Sequence, residues 1–258
     1  MSQPFEEGRT AASETLRRAL ATAPLPYLEG ALANPVLDPG HAVLALSNPA
    51  IVPLLIQRIG RNPAWIKTYE VKAAIVLHPK TPRAVAMNLV TFLWWRDLVR
   101  VTDQPKLSPV LRRSAERLLT LRLQELALGE KVSLARIASR GLIGALRAQA
   151  EPMVIRALLQ NPRLMEEDAL AIANGARTMG PVLRALADDP RFAARPTVRK
   201  AIARHPETPA SVALHIVQNL SSRDLKELSR SPRVPGLVKV AAQRLLEARR
   251  SPTAENQQ

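Results

Sequence analysis

Cysteine is absent from this chain. That removes disulfides, iron–sulfur ligation and thiol nucleophiles together, and it fits a reducing compartment, so a cytoplasmic location is the expectation. Aromatic residues are scarce, at 3% of 258 residues, which suits thin layers of Leu, Ala, Val and Ile better than a thick globular core. No apolar run approaches the roughly 20 residues that span a bilayer. Residues 1–10 carry Glu6 and Glu7 and no apolar stretch, so neither a transmembrane segment nor a secretory signal is expected. A Gly-rich phosphate loop, a nucleophile elbow and a zinc-helix motif are also missing. Without a convergent acid, base and nucleophile the chain reads as non-catalytic, with no cofactor and no metal ion.

Acidic charge is the other shortage. Asp and Glu number 22 against 37 Lys and Arg, a formal net charge of +15, and a basic surface attracts polyanions such as nucleic acid. Arg outnumbers Lys among these cations. An Arg- and Ala-rich chain is also what a GC-rich genome encodes without any selected ligand. The excess is spread over both halves, so no tail accounts for it.

Proline, by contrast, recurs at fixed intervals. Asn34-Pro35, Asn62-Pro63, His78-Pro79 and Gln104-Pro105 return as Asn161-Pro162, Asp189-Pro190, His205-Pro206 and Ser231-Pro232, and 34 plus 127 is 161 in every case. The register runs without a gap from Asn34–Leu119 to Asn161–Leu246, with identities such as Val71/Val198, Ile75/Ile202 and Arg96-Asp97-Leu98/Arg223-Asp224-Leu225. The chain is therefore an internal duplication. Between the X-Pro steps, apolar residues fall at helical spacing and nowhere hold a period of two, which predicts an all-α fold. Thr81-Pro82 and Thr208-Pro209 each offer an N-cap hydroxyl and a proline at the first helical position. The residue before a proline is pushed out of the helical region, so His78 and His205 end the preceding helices.

Segments such as Val198-Arg199-Lys200-Ala201-Ile202-Ala203-Arg204-His205-Pro206-Glu207-Thr208-Pro209 resemble the HEAT-like and leucine-rich-repeat-variant α-solenoids. The resemblance covers about 16–246 and implies a right-handed helical repeat array that serves as a curved scaffold for macromolecular partners. The expected organisation is a disordered tail over 1–12, a first array over 13–119, joining helices over 120–140, a second array over 141–249 and a disordered tail over 250–258. The joining stretch is expected to break at Gly129 and to have no counterpart in the second copy.

Among residues that bear chemistry, His78 and His205 share the X-Pro slot of Asn34, Asn62, Asn161 and Asp189. A side chain that bonds free backbone groups at a helix end explains all of them. Asp97 and Asp224 read as first-turn acids, stabilised by the helix macrodipole, as do Glu166, Glu167 and Asp168.

The duplication also acts as an internal control on exposure. Phe92, Trp94 and Trp95 align with Asn219, Ser221 and Ser222, whose polarity places that turn in water. Three large aromatics there make a patch for a protein partner, unless residues 120–140 fold over them. Trp65, aligned with Phe192, reads as core. Basic residues repeat as Lys72/Arg199, Arg96/Arg223, Lys106/Arg233, Arg112/Lys239 and Arg117/Arg244. In a solenoid such pairs fall in rows that track a phosphate backbone, although solvated helix faces give the same pattern. Nucleic acid is thus the second class of partner. A third reading resembles the HEAT-like alkylpurine DNA glycosylases, whose basic groove holds Trp and Asp near the lesion; Trp94, Trp95 and Asp97 are the matching residues.

Overall fold

The computed structural model of the chain describes residues 2–149 and 151–250. Among them the regular elements are 19 α-helices and one 3-10 turn, with no strand, as the spacing of apolar residues predicts. The chain forms two compact units, 1–124 and 125–258.

The first unit contains α1 (Gln3–Thr10), α2 (Ser13–Ala19), α3 (Leu25–Ala31), α4 (Pro39–Ser47), α5 (Pro53–Arg61) and α6 (Tyr69–Leu77). It continues with α7 (Arg83–Leu89), a 3-10 turn (Val90–Phe92), α8 (Trp95–Asp103) and α9 (Pro109–Arg122). Helices this short are marginal alone in water and need tertiary partners. In α5, for instance, Pro53 opens the first turn, Leu55, Ile56 and Ile59 are buried, and Arg58 and Arg61 face solvent. Each buried aliphatic contributes about 1.5–3 kcal/mol, and Ile59→Ala would cost about 2–5 kcal/mol. The stripes are covered mainly by next-but-one neighbours: α1 packs on α3, α2 on α4, α4 on α6, α6 on α8 and α7 on α9.

The second unit contains α10 (Leu128–Ile137), α11 (Arg140–Ala148), α12 (Pro152–Leu159), α13 (Glu166–Ala173) and α14 (Gly180–Asp188). It is completed by α15 (Pro190–Ala193), α16 (Pro196–Arg204), α17 (Ala210–Gln218), α18 (Ser222–Arg230) and α19 (Gly236–Arg250). The packing is of the same kind: α10 on α12, α12 on α14, α11 on α13, α13 on α16 and α17 on α19. Both ends of α5, α6 and α8 return as those of α14, α16 and α18, 127 residues on.

Polar side chains at the turns link each helix end to an earlier one. Asn34 Nδ2 donates to the carbonyls of Gly8 and Ala11, and Asn161 Nδ2 to those of Ala135 and Ala138, again an offset of 127. Asn48 does the same to Leu20 and Ala23. In each case the Oδ1 accepts the N–H two residues on. His78 and His205 hold their own turns likewise, with Nδ1 accepting from Lys80 at 3.1 Å and Glu207 at 3.2 Å, and His205 Nε2 donates to Gly175 O. Helix-terminal carbonyls have no intrahelical donor, and these side chains supply one.

Several expectations need correction. Residues 3–10 are helical and packed on α3 rather than a disordered tail: Gly8 lies against Tyr27 and Ala31, and Gly30 against Phe5. Residues 120–140 are not a partnerless splice, because α10 lies 127 residues after α1 and repeats its carbonyl contacts to an asparagine. The chain leaves α9 at Arg122, and Gly129 sits inside α10. Thr81 and Thr208 do not cap the helices that follow. Their hydroxyls donate to Ile75 O and Ile202 O, carbonyls near the ends of α6 and α16, while Pro82 and Pro209 take the N-cap positions. Trp65 is only half-buried, whereas Phe192 is core. Of the expected tail over 250–258, Arg250 ends α19 and 251–258 lie outside the described residues.

Candidate functional site

The loop from the 3-10 turn into α8 carries the three aromatics, and in the first unit Phe92 is 59% and Trp94 66% exposed. Trp95, the first residue of α8, is half-buried. Within the first unit, Arg122 reaches this loop from α9, donating to the carbonyls of Leu93 and Thr91 and leaving the Phe92 and Trp94 rings open.

Trp94 stacks on Tyr69 of α6, ring centroids 4.0 Å apart and planes 15° from parallel. Tyr69 is a hinge of hydrogen bonds. Its hydroxyl donates to Asp97 Oδ2 and accepts from the Trp94 N–H at 3.1 Å. Burial, then the Asp97 hydrogen bond, pushes the Tyr69 phenol up to about 12, so it remains a neutral donor. Asp97 Oδ1 accepts from Arg100 at 2.9 Å. Both oxygens of this first-turn acid are therefore engaged.

Trp94, Tyr69, Asp97 and Arg100 form one side of a groove of about 600 Å³ across α4, α6 and α8. Its floor is apolar, with Val43, Leu46, Ala73, Ala74 and Leu77, and its rim carries Glu70 and His78. Burial and then the nearby Lys80 charge hold the His78 imidazole below its ordinary value, and its Nδ1 accepts the Lys80 N–H. The ring thus acts as a neutral acceptor.

Two of the repeated cations belong to this aromatic cluster. Lys72 Nζ lies 5.2 Å from the Phe92 centroid and the Arg96 guanidinium 5.4 Å from that of Trp95. Such contacts orient exposed rings by about 0.5–1 kcal/mol. The remaining pairs do not make one row. Arg112 and Arg117 lie on α9 and Lys239 and Arg244 on α19. Five residues apart at 3.6 per turn, the members of each pair project about 140° from one another. Arg112 and Arg199 are half-buried with Nε out of solvent, and Arg199 donates to Ala194 O. Lys106 and Arg233 are exposed in the turns before α9 and α19, and Arg223 is exposed on α18.

Cations also close helix ends, a use the sequence reading missed. Lys80 donates to the carbonyls of Pro49 and Ile51, Arg191 to Asn161 and Leu159, and Arg249 to Leu220 and Gln218. A cation there meets the negative end of the macrodipole, so part of the positive charge is structural. The first-turn acids are held similarly: Asp168 is buried and paired with Arg140 and Arg147, and a hydrogen bond from Ser221, then Lys200, lowers the Asp224 carboxyl. Among the described residues no group of three or more His, Cys, Asp or Glu is placed to hold a metal ion, and no helix is long and apolar enough to cross a membrane.

The chain matches no protein-family model, no curated protein and no solved structure.

Proposed function

We propose that the chain is a non-catalytic α-solenoid scaffold of the HEAT-like or leucine-rich-repeat-variant kind, a cytoplasmic protein that holds a protein partner in the α4–α6–α8 groove. The next-but-one packing of short helices and the side-chain links recurring 127 residues apart support the repeat reading. The observation that carries the functional one is Trp94, 66% exposed at the groove edge. Its copy, Ser221, caps α18 with an ordinary hydroxyl bond to the Asp224 N–H. The turn needs no indole, so Trp94 is a surface aromatic beside an apolar floor, and such residues dominate protein interfaces. Phe92 and Trp95 flank it. Asp97 has the role of a clamp on Tyr69 and Arg100 in this reading, not that of a general base.

A photoreactive phenylalanine analogue placed at Phe92 tests it. Crosslinking in the source cell should give one dominant protein adduct, and the added changes Trp94→Ser and Trp95→Ser should remove that adduct while the melting curve stays near its original midpoint. No adduct, or an adduct that survives both changes, rejects the groove as the partner site.

A further inference from the structure

A second groove of about 600 Å³ lies in the other unit, between α16 and α18, and has the opposite chemistry. It is lined by Arg204, Arg223, Lys226, Glu227, Arg230 and Ser231. Arg223, Lys226 and Arg230 follow one another at i, i+3 and i+7, which places them on one face of α18, and all three are exposed. The nearest carboxylates are already taken. Glu227 is paired with Lys200 and with Arg204 at 3.3 Å, and Asp224 with Lys200 at 3.1 Å. Arg223, Lys226 and Arg230 make no ion pair among the described residues, so their charge is available to a ligand.

The duplication shows that the helix pair does not need this charge. The residues 127 positions earlier than Arg204, Lys226 and Arg230 are Leu77, Val99 and Asp103, while Arg223 alone keeps a cation, Arg96. The same α6–α8 pair is thus built with an apolar, an apolar and an acidic residue where α16–α18 has three cations. A stripe of cations absent from one of two copies is a property of the ligand, not of the packing.

We propose that the α16–α18 groove binds the phosphodiester backbone of single-stranded nucleic acid without regard to sequence. Charge complementarity argues for the phosphates. Three exposed cations in one line along a helix match a linear array of like charges better than a single anion. The groove is lined by no aromatic residue, so it offers no stacking platform for bases, and binding is by backbone charge. Its size suits one strand.

The test is fluorescence anisotropy of the full chain with a short fluorescein-labelled oligouridylate over a range of salt. Changing Arg223→Gln, Lys226→Gln and Arg230→Gln together should weaken binding at least tenfold. It should also flatten the slope of log affinity against log salt by about 2, since each released counterion on a single strand contributes about 0.7. A control removes equal charge elsewhere, at the exposed Arg58, Arg61 and Arg83, and should change neither quantity. The charge-retaining variant Arg223→Lys with Arg230→Lys should bind nearly as the parent does, which guards against a folding defect in the Gln variant. Equal losses from both triple variants would mean diffuse charge and overturn the site. So would absence of binding at low salt. If polyglutamate binds as tightly as the oligonucleotide, the groove takes acidic polypeptide and the nucleic-acid assignment is wrong.

Discussion

The Trp94 indole lies flat on the Tyr69 ring, and the same Tyr69 hydroxyl accepts the Trp94 backbone N–H. One phenol thus fixes both the ring and the backbone of the most exposed aromatic in the first unit. Tyr69→Phe keeps the stack but removes the hydroxyl, leaving the Trp94 N–H and Asp97 Oδ2 without that partner. The expected cost is about 1–3 kcal/mol, read as a lower urea midpoint. Trp94→Ser removes mainly the stack and should cost only about 1 kcal/mol. A larger loss for Trp94→Ser than for Tyr69→Phe would show that the indole is core, and the protein-partner reading would fail.

His78 gives a pH dependence with a definite sign. Its folded value lies below 6.5 because burial and Lys80 disfavour the charged ring. As pH falls through 6.5 the unfolded chain takes up a proton that the folded chain refuses, so this group lowers stability on the acid side and leaves it intact above 6.5. Protonation would also cancel the Nδ1 acceptor for the Lys80 N–H. His78→Asn should fold, because Asn34, Asn48 and Asn161 perform the same turn, and it should flatten the stability profile below pH 6.5. Urea titrations of parent and variant above and below that pH decide it: parallel profiles would refute the assignment.

Much of this was readable from the duplication. The X-Pro register located the helix ends, and the shared His/Asn slot identified His78 and His205 as turn residues, because one geometry explains both side chains. The helix over 39–47 and α1 escaped that reading for a physical reason. Gln3–Thr10 is polar, and it docks on α3 through the close approach of Gly8 and Gly30 rather than through an apolar stripe, so hydrophobic period says nothing about it. The signal that existed was Ala135 and Ala157, small buried residues 127 positions later. Cations were misread in the opposite direction. Choosing repeated ones favoured residues such as Arg199, whose role is local, and passed over Lys226 and Arg230, which have no cationic copy.

Arg122 and Arg249 are equivalent staples, each donating to two carbonyls of a turn about 30 residues earlier. Charged hydrogen bonds of this type contribute about 1.5–3 kcal/mol, less here because both arginines are partly exposed. Arg249→Met keeps much of the stem packing and removes the donors. It should lower stability by about 1 kcal/mol and speed amide exchange in residues 218–221 selectively. Unchanged exchange there would mean that solvent satisfies those carbonyls equally well.

The approach of α1 to α3 makes the sharpest test of the first unit's N-terminal boundary. A Cβ on Gly30 would fall 2.0 Å from Phe5 O, and one on Gly8 2.3 Å from Tyr27 O and 2.9 Å from Ala31 N. These are backbone atoms, which cannot swing aside as a side chain can. Gly30→Ala must therefore push α1 away. That strains the Asn34 bonds to Gly8 O and Ala11 O and uncovers Tyr27 and Ala31, both buried. The expected loss is about 2–4 kcal/mol, the scale of overpacking plus a broken buried hydrogen bond. Exchange should accelerate first in residues 3–10. Gly129→Ala is the control, since a Cβ there meets open space, and in a helix it should stabilise by a few tenths to 1 kcal/mol. If Gly30→Ala melts like the parent, α1 is not docked and residues 1–12 are the loose tail that the sequence suggested.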